Sequence, residues 1–310
     1  MPTHFNYIIT IHNKENLIEQ VVQNVIKCMH ENSTLYTVLD GCTDTTENII
    51  DKIIKLYPTF RIQKIYADDV HELKSINIGL KASNQQGNGY NIILQDDVIL
   101  NGYDIEAQII KLYDTMPELG ITSFRHGFNL SRKLLSKKVH FFPSTDYIES
   151  ILGHNPNPVD YLKLGYFTYR EIAVKSPICI PYKVVQKIGY PDEIYAPWDD
   201  IAYCYKASQH NFFNGVYALS FQSDVEWGTT RIKKQKLSPS LVEQKNVALF
   251  KKINNNDLLN KPLNKIYSSK KKYLIDNHSL IRASLPLKLN SLKFHFRATL
   301  LYFYRLMFAK

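Results

Sequence analysis

The chain has 310 residues, 45% hydrophobic and 22% charged, which excludes a disordered chain and leaves room for a large core. Four scattered cysteines, Cys28, Cys42, Cys179 and Cys204, show no CxxC or CxH spacing, which argues against a disulfide framework or a zinc site. The net charge of +9 averages two unlike parts, −6 over residues 1–230 and +15 over residues 231–310, and so points to an anionic partner for the C-terminal stretch.

Residues 7–11, Tyr-Ile-Ile-Thr-Ile, form a β-branched run that predicts a buried first strand. Leu17, Ile18, Val21, Val22, Val25 and Ile26 then recur at helical spacing. Residues 35–39 predict a second strand, ending in Asp40-Gly41. A helix follows with Ile49, Ile50, Ile53, Ile54 and Leu56 on one face, capped by Thr45 or Thr46. Residues 60–66 predict a third strand, 73–83 a helix, and 90–94 a fourth strand running into Asp96-Asp97. Strand–helix alternation with short connections predicts an α/β fold with a mostly parallel central sheet flanked by helices.

Residues 102–172 are less regular. Beyond them, Val184, Val185 and Ile188 predict a short helix stopped by Gly189, residues 201–208 a further helix behind Asp199-Asp200, and residues 216–221 a strand. Past residue 230 the chain turns Lys- and Asn-rich, so we place a boundary there: 1–230 the main domain, 231–310 a basic, helical extension.

Ligands of open parallel sheets bind at the carboxyl ends of strands, and here those ends carry His12-Asn13, Asp40 and Asp96-Asp97. Two adjacent acids at a strand end are unfavourable unless a cation or a donor-rich ligand sits there, and oxygen ligands suit Mg²⁺ or Mn²⁺ bridging to a diphosphate. Each motif also has an ordinary reading. Asp40-Gly41 is a common turn signal, Asp199-Asp200 can serve only to start a helix, His12 can be a structural loop residue, and Trp198 can be core. No Gly-x-Gly-x-x-Gly follows the first strand, which disfavours a dinucleotide site.

Taken in order, five segments resemble the family 2 glycosyltransferases of the GT-A fold. They are residues 8–15 (Ile-Ile-Thr-Ile-His-Asn-Lys-Glu), 38–44 (Val-Leu-Asp-Gly-Cys-Thr-Asp), 75–80 (Ser-Ile-Asn-Ile-Gly-Leu), 93–97 (Ile-Leu-Gln-Asp-Asp) and 198–207, which opens Trp-Asp-Asp. The resemblance covers roughly residues 5–225. It implies that Asp40, Thr10, His12 and Asn77 line a nucleotide pocket, with Asp96 at the ribose or donor sugar. It further implies that Asp97 binds the metal and that Asp200 or Asp199 is the catalytic base. Departures are Gln95 at the first position of the DxD-type triplet, His12 for an aromatic, Asp199 for Glu, and Ile76 for a basic residue, with Lys74 a replacement cation. Trp198, Arg125 and Arg231 are further candidates for acceptor or phosphate contacts.

The implied activity is inverting, metal-assisted transfer of a hexosyl or N-acetylhexosaminyl group from a nucleoside-diphosphate sugar, a UDP-sugar by family weight. The acceptor would be a saccharide or lipid-linked saccharide, in surface polysaccharide or glycolipid synthesis. A sugar-phosphate nucleotidyltransferase and a non-catalytic carbohydrate-binding scaffold remain alternatives. Residues 1–6 show no basic-then-apolar leader, which sets a cytoplasmic expectation. Residues 292–310 are apolar and aromatic with interspersed Lys, His and Arg, too broken for a spanning helix. With Lys270, Lys271 and Lys272 upstream, they fit peripheral attachment of residues 270–310 to an anionic bacterial membrane; helix packing on protein is the alternative. No nucleic-acid recognition motif is present in the sequence.

Overall fold

The computed structural model describes residues 3–83, 85–102, 104–129, 148–150, 160–195, 199–223, 271–276 and 279–284. The first half alternates as expected: β1 (His4–Ile11), α1 (Ile18–Cys28), β2 (Thr34–Asp40), α2 (Thr46–Leu56), β3 (Arg61–Ala67), α3 (Glu72–Ala82) and β4 (Gly89–Gln95). Next come β5 (Ile99–Leu100), α4 (Ile105–Thr115), β6 (Leu119–Ser123), β7 (His126–Phe128), β8 (Ile148–Ser150) and β9 (Asp160–Leu162). The rest is β10 (Tyr166–Tyr169), β11 (Ile172–Val174), β12 (Ile178–Pro181), α5 (Tyr182–Ile188), α6 (Asp199–Gln209), β13 (Phe213–Tyr217), β14 (Phe221–Gln222), β15 (Lys271–Asp276) and β16 (Ser279–Ser284).

A ten-stranded sheet runs β16-β15-β10-β13-β6-β12-β4-β1-β2-β3. β4, β1, β2 and β3 are parallel, so their carboxyl ends share one rim. β12 is antiparallel to both β4 and β6, with Ile178 opposite Ile93 and Ser123. That reversal brings the start of β12, not its end, to the same rim. The parallel character therefore belongs to the N-terminal half, and the sheet is mixed beyond β4.

Period-2 alternation divides the core between two faces. Tyr7, Ile9, Leu35 and Leu39 pack with α1, α2 and α4, while Ile8, Tyr36 and Val38 pack with α3, α5 and α6. α3 lies so close to the sheet that a Cβ on Gly79 would stand 2.4 Å from Ile8 Cγ2. At the end of β2, Gly41 has φ +62°, and a Cβ there would meet Asp69 Cβ at 2.7 Å. Only glycine suits that turn.

Three features differ from the sequence expectations. The start of α2 receives no side-chain cap from Thr45. The Thr46 N–H instead donates to Asp44 Oδ1 at 3.0 Å, and the Thr46 hydroxyl oxygen accepts the Lys14 N–H at 2.8 Å. The irregular stretch contains a full helix, α4, and a small sheet of order β11-β7-β8-β9. In the C-terminal stretch, β15 pairs with β10 and β16 with β15, and Tyr273 is fully buried in the main core. The helix expected over residues 292–310 lies outside the described residues. Among the described residues, no helix is long and apolar enough to cross a membrane.

Candidate active site

The rim carries two groups of side chains. The first gathers at the ends of β1, β2 and β4. Thr10 is the buried penultimate group of the β1 ladder, paired with Val38 and Gln95. His12 donates its backbone N–H to Asp96 Oδ2 at 2.9 Å, and its Nδ1 lies 2.6 Å from the Asp40 carbonyl oxygen. A carbonyl only accepts, so Nδ1 carries the proton and Nε2 is left to accept from Asn13 Nδ2 at 3.4 Å. Asn13, at φ +51°, turns the chain, and its Oδ1 accepts the Thr43 N–H at 2.7 Å, tying the first loop to the second. Asp40 is buried, and its Oδ1 accepts the Val70 N–H at 2.7 Å, which closes the β3–α3 loop over it.

Asp96 and Asp97 form the turn after β4. Burial raises the Asp96 pKa to about 6, against the opposing pull of Lys14 and the His12 N–H. Lys14 Nζ stands 3.5 Å from Asp96 Oδ1, and both side chains are mostly buried. Lys14 is a site residue that sequence reasoning passed over; its place directly behind His12-Asn13 was the available signal. Asp97 is different. Its Oδ1 is buried with no hydrogen-bond partner among the described residues.

The second group gathers where α6 starts. Lys175, between β11 and β12, donates from Nζ to Asp199 Oδ2 at 2.6 Å and lies 3.9 Å from Glu72 Oε2. Burial works against its charge, but Glu72, Asp200 and Asp199 together hold its pKa above that of an ordinary lysine. Asp199 is 5% exposed. Asp200 is less shielded at its surface, yet with Lys175 and Asp199 it lines an apolar cavity walled by Leu73, Ile76, Ile93, Ile178 and Tyr203. Desolvation there lifts the Asp200 pKa well above the usual carboxylate range, opposed by Lys175 and reinforced by Asp199 and Glu72.

Gln95 joins the two groups. Its N–H donates to Ser176 Oγ at 2.8 Å and its side-chain amide to Glu72 Oε1 at 2.8 Å. Lys175 and Glu72 carried no recognisable motif; a lone lysine inside the apolar run 172–180 was the only hint. The remaining sequence candidates fall elsewhere. Lys74 is exposed on α3. Asn77 is buried and donates to the Pro191 carbonyl at 2.9 Å and to Glu193 Oε1 at 3.0 Å, so it braces the segment leading to α6. Arg125 follows β6, buried, with its guanidinium 5.5 Å from the Phe221 ring centre. Trp198 and Arg231 lie outside the described residues.

The family model for glycosyl transferase family 2 matches residues 7–170, just over half of the chain. The chain belongs to that family. No curated protein sequence matches it. The fold of this glycosyl transferase is shared at low identity by solved structures. S. aureus TarS 1–349 with UDP-GlcNAc superposes with a TM-score of 0.53 at 13% identity, over 80% of this chain and 66% of that one. GalNAc-T7 with UDP, GalNAc and Mn²⁺ gives 0.56 at 11% identity, over 80% of this chain and 48% of that one. The chain thus spans less than two thirds of the length of either.

The glycosyl transferase's own residues fit a divalent ion. An ionised carboxylate oxygen buried without a donor is costly, and a cation at Asp97 removes that cost. Among the described residues no three His, Cys, Asp or Glu side chains converge into a cage. A hard divalent ion can be held by one or two carboxylates, with phosphate and water completing its shell.

Proposed function

We propose that the chain is an inverting glycosyltransferase that moves a hexosyl or N-acetylhexosaminyl group from a nucleoside-diphosphate sugar to a hydroxyl of a saccharide or lipid-linked saccharide. The observation that carries this is one rim with two differently tuned acid pairs. Asp97 has an oxygen with no donor among the described residues, and Asp200 has its proton affinity raised beside a lysine. UDP is the proposed nucleotide, supported by the UDP ligands in the TarS and GalNAc-T7 structures.

Each group has a part in the reaction. The loops held by His12, Asn13 and Asp40 form the floor on which the nucleotide is oriented, so that remote binding energy positions the donor. Asp97 would hold Mg²⁺ or Mn²⁺, which supplies Lewis-acid stabilisation of the leaving diphosphate. Asp96, fixed by Lys14 and the His12 N–H, lines the ribose or sugar side. Asp200 takes the acceptor hydroxyl proton as the oxygen attacks, and its raised pKa makes it a better base than a solvated aspartate. With Asp200 as the one base assigned to the acceptor hydroxyl, the reaction is a single displacement that inverts the anomeric centre.

The +15 charge of residues 231–310 supports a peripheral position on the cytoplasmic face of a bacterial membrane through residues 270–310, with products entering surface polysaccharide or glycolipid. Incubation with a panel of UDP- and GDP-sugars plus Mn²⁺ tests the reaction. One donor should be consumed, and Asp200→Asn should cut kcat by about 10²–10⁴-fold with UDP affinity kept. Failure to bind or consume any donor would contradict the proposal.

A further inference from the structure

Four side chains make a continuous path across the rim. Gln95 donates to Glu72 at 2.8 Å, Glu72 lies 3.9 Å from the Lys175 ammonium, and Lys175 donates to Asp199 at 2.6 Å. We infer that Lys175 is the positioning residue of the base, holding Asp199 so that Asp200 alone takes the proton, and that Gln95 is matched to Lys175 through Glu72. This rests on the transferase function proposed above.

Two adjacent aspartates at a helix start repel one another unless a cation intervenes. Lys175 supplies it, with its side chain 15% exposed and that of Asp199 6% exposed. An Asp199 oxygen spent on a short charge-assisted bond is a poor proton acceptor, because protonation would break the pair. Lys175 acts on Asp200 mainly as a nearby charge, so Asp200 keeps its capacity. The charged and titratable groups acting on Asp200 are Lys175 from the β11–β12 loop, Glu72 from α3, and Asp199 and the Cys204 thiol from its own helix. Glu193, in the turn packed against α6, accepts from Asn77.

The same path explains Gln95. An aspartate there would set one carboxylate against Glu72, where the Gln95 amide now donates. The amide keeps Glu72 ionised and facing Lys175. A glutamine at the first position of the triplet thus fits a lysine placed on the base.

The test compares wild type, Lys175→Met, Lys175→Arg, Gln95→Asp and Gln95→Asp/Glu72→Gln, reading UDP binding and the pH dependence of kcat. Lys175→Met should keep UDP affinity within about twofold while kcat at pH 7 falls by about 100-fold. Its acid limb should move to higher pH, because the cation that lowers the Asp200 pKa is gone. Lys175→Arg should recover at least about tenfold of that loss. Gln95→Asp should lower kcat, and adding Glu72→Gln should restore it; this arm decides the question if Lys175→Met does not fold. Unshifted pH profiles with a loss under about threefold, or a Gln95→Asp variant as active as wild type, would overturn the inference. A wild-type protein that binds no nucleotide and transfers no sugar instead removes the function on which it rests.

Discussion

Lys14 and Asp97 show how neighbouring residues on one rim are treated differently. Lys14 Nζ meets Asp96 at 3.5 Å with side-chain exposures of 9% and 14%, a pair mostly withdrawn from water. Removing one partner of a buried pair strands the other charge. The separation is at the long limit for a hydrogen bond, so the low end applies, and Lys14→Met should cost about 3 kcal/mol in a urea melt. An unchanged midpoint would mean that the pair is solvated. Asp97→Asn should instead leave stability nearly unchanged or raise it, because the unpartnered charged oxygen is removed. The acids themselves were legible in the sequence because strand-end position is a local property. Lys14 as the Asp96 partner was not, since the ends of β1 and β4 meet only through the sheet register. The same holds for Lys175, whose partners lie on α3 and α6.

The seven elements up to β4 were legible because each repeats its apolar residues at its own period over several turns or pleats. α4 was equally periodic, with Ile105, Ile109, Leu112 and Tyr113 buried, but the polar residues around it obscured the pattern. β7, β8, β9 and β11 are three residues each, too short to establish alternation. The cap of α2 was assigned to a threonine, whereas Asp44 accepts the Thr46 N–H. Asp44→Ala should therefore destabilise by about 1 kcal/mol, and Thr45→Ala by much less at this helix end. Equal losses would contradict the assignment. Gly79→Val should cost about 2–3 kcal/mol or more, because the added carbons meet Ile8 on the sheet.

At the scale of the whole molecule, the C-terminal stretch is part of the fold rather than only a charged appendage. Tyr273 and Ile275 of β15 are buried in the core, so deletion of residues 231–310 should expose the β10 edge and yield aggregated or unfolded protein. A monomeric deletion variant with wild-type Tm would argue otherwise. Composition gave the basic charge of this stretch but not its strands, since a hairpin added to a distant edge is a tertiary event. pH acts on the body through His126, whose pKa burial, aided by Arg125, lowers to about 3 from the usual 6.5. The unfolded chain binds that proton first, so stability should be full above pH 6.5 and decline as pH falls toward 3. His126→Gln should flatten the fall of Tm between pH 6.5 and about 5 relative to wild type, above the range of ordinary carboxylates and with Asp96, near 6, titrating alike in both proteins. The central claim is that this rim binds a nucleoside diphosphate through a metal on Asp97, and thermal stabilisation by UDP with and without Mn²⁺, in wild type and Asp97→Asn, tests it most directly. Wild type should gain about 2.7 kcal/mol at a hundredfold excess over Kd only when Mn²⁺ is present, and Asp97→Asn should gain little. Equal stabilisation of both proteins, or none of either, would contradict it.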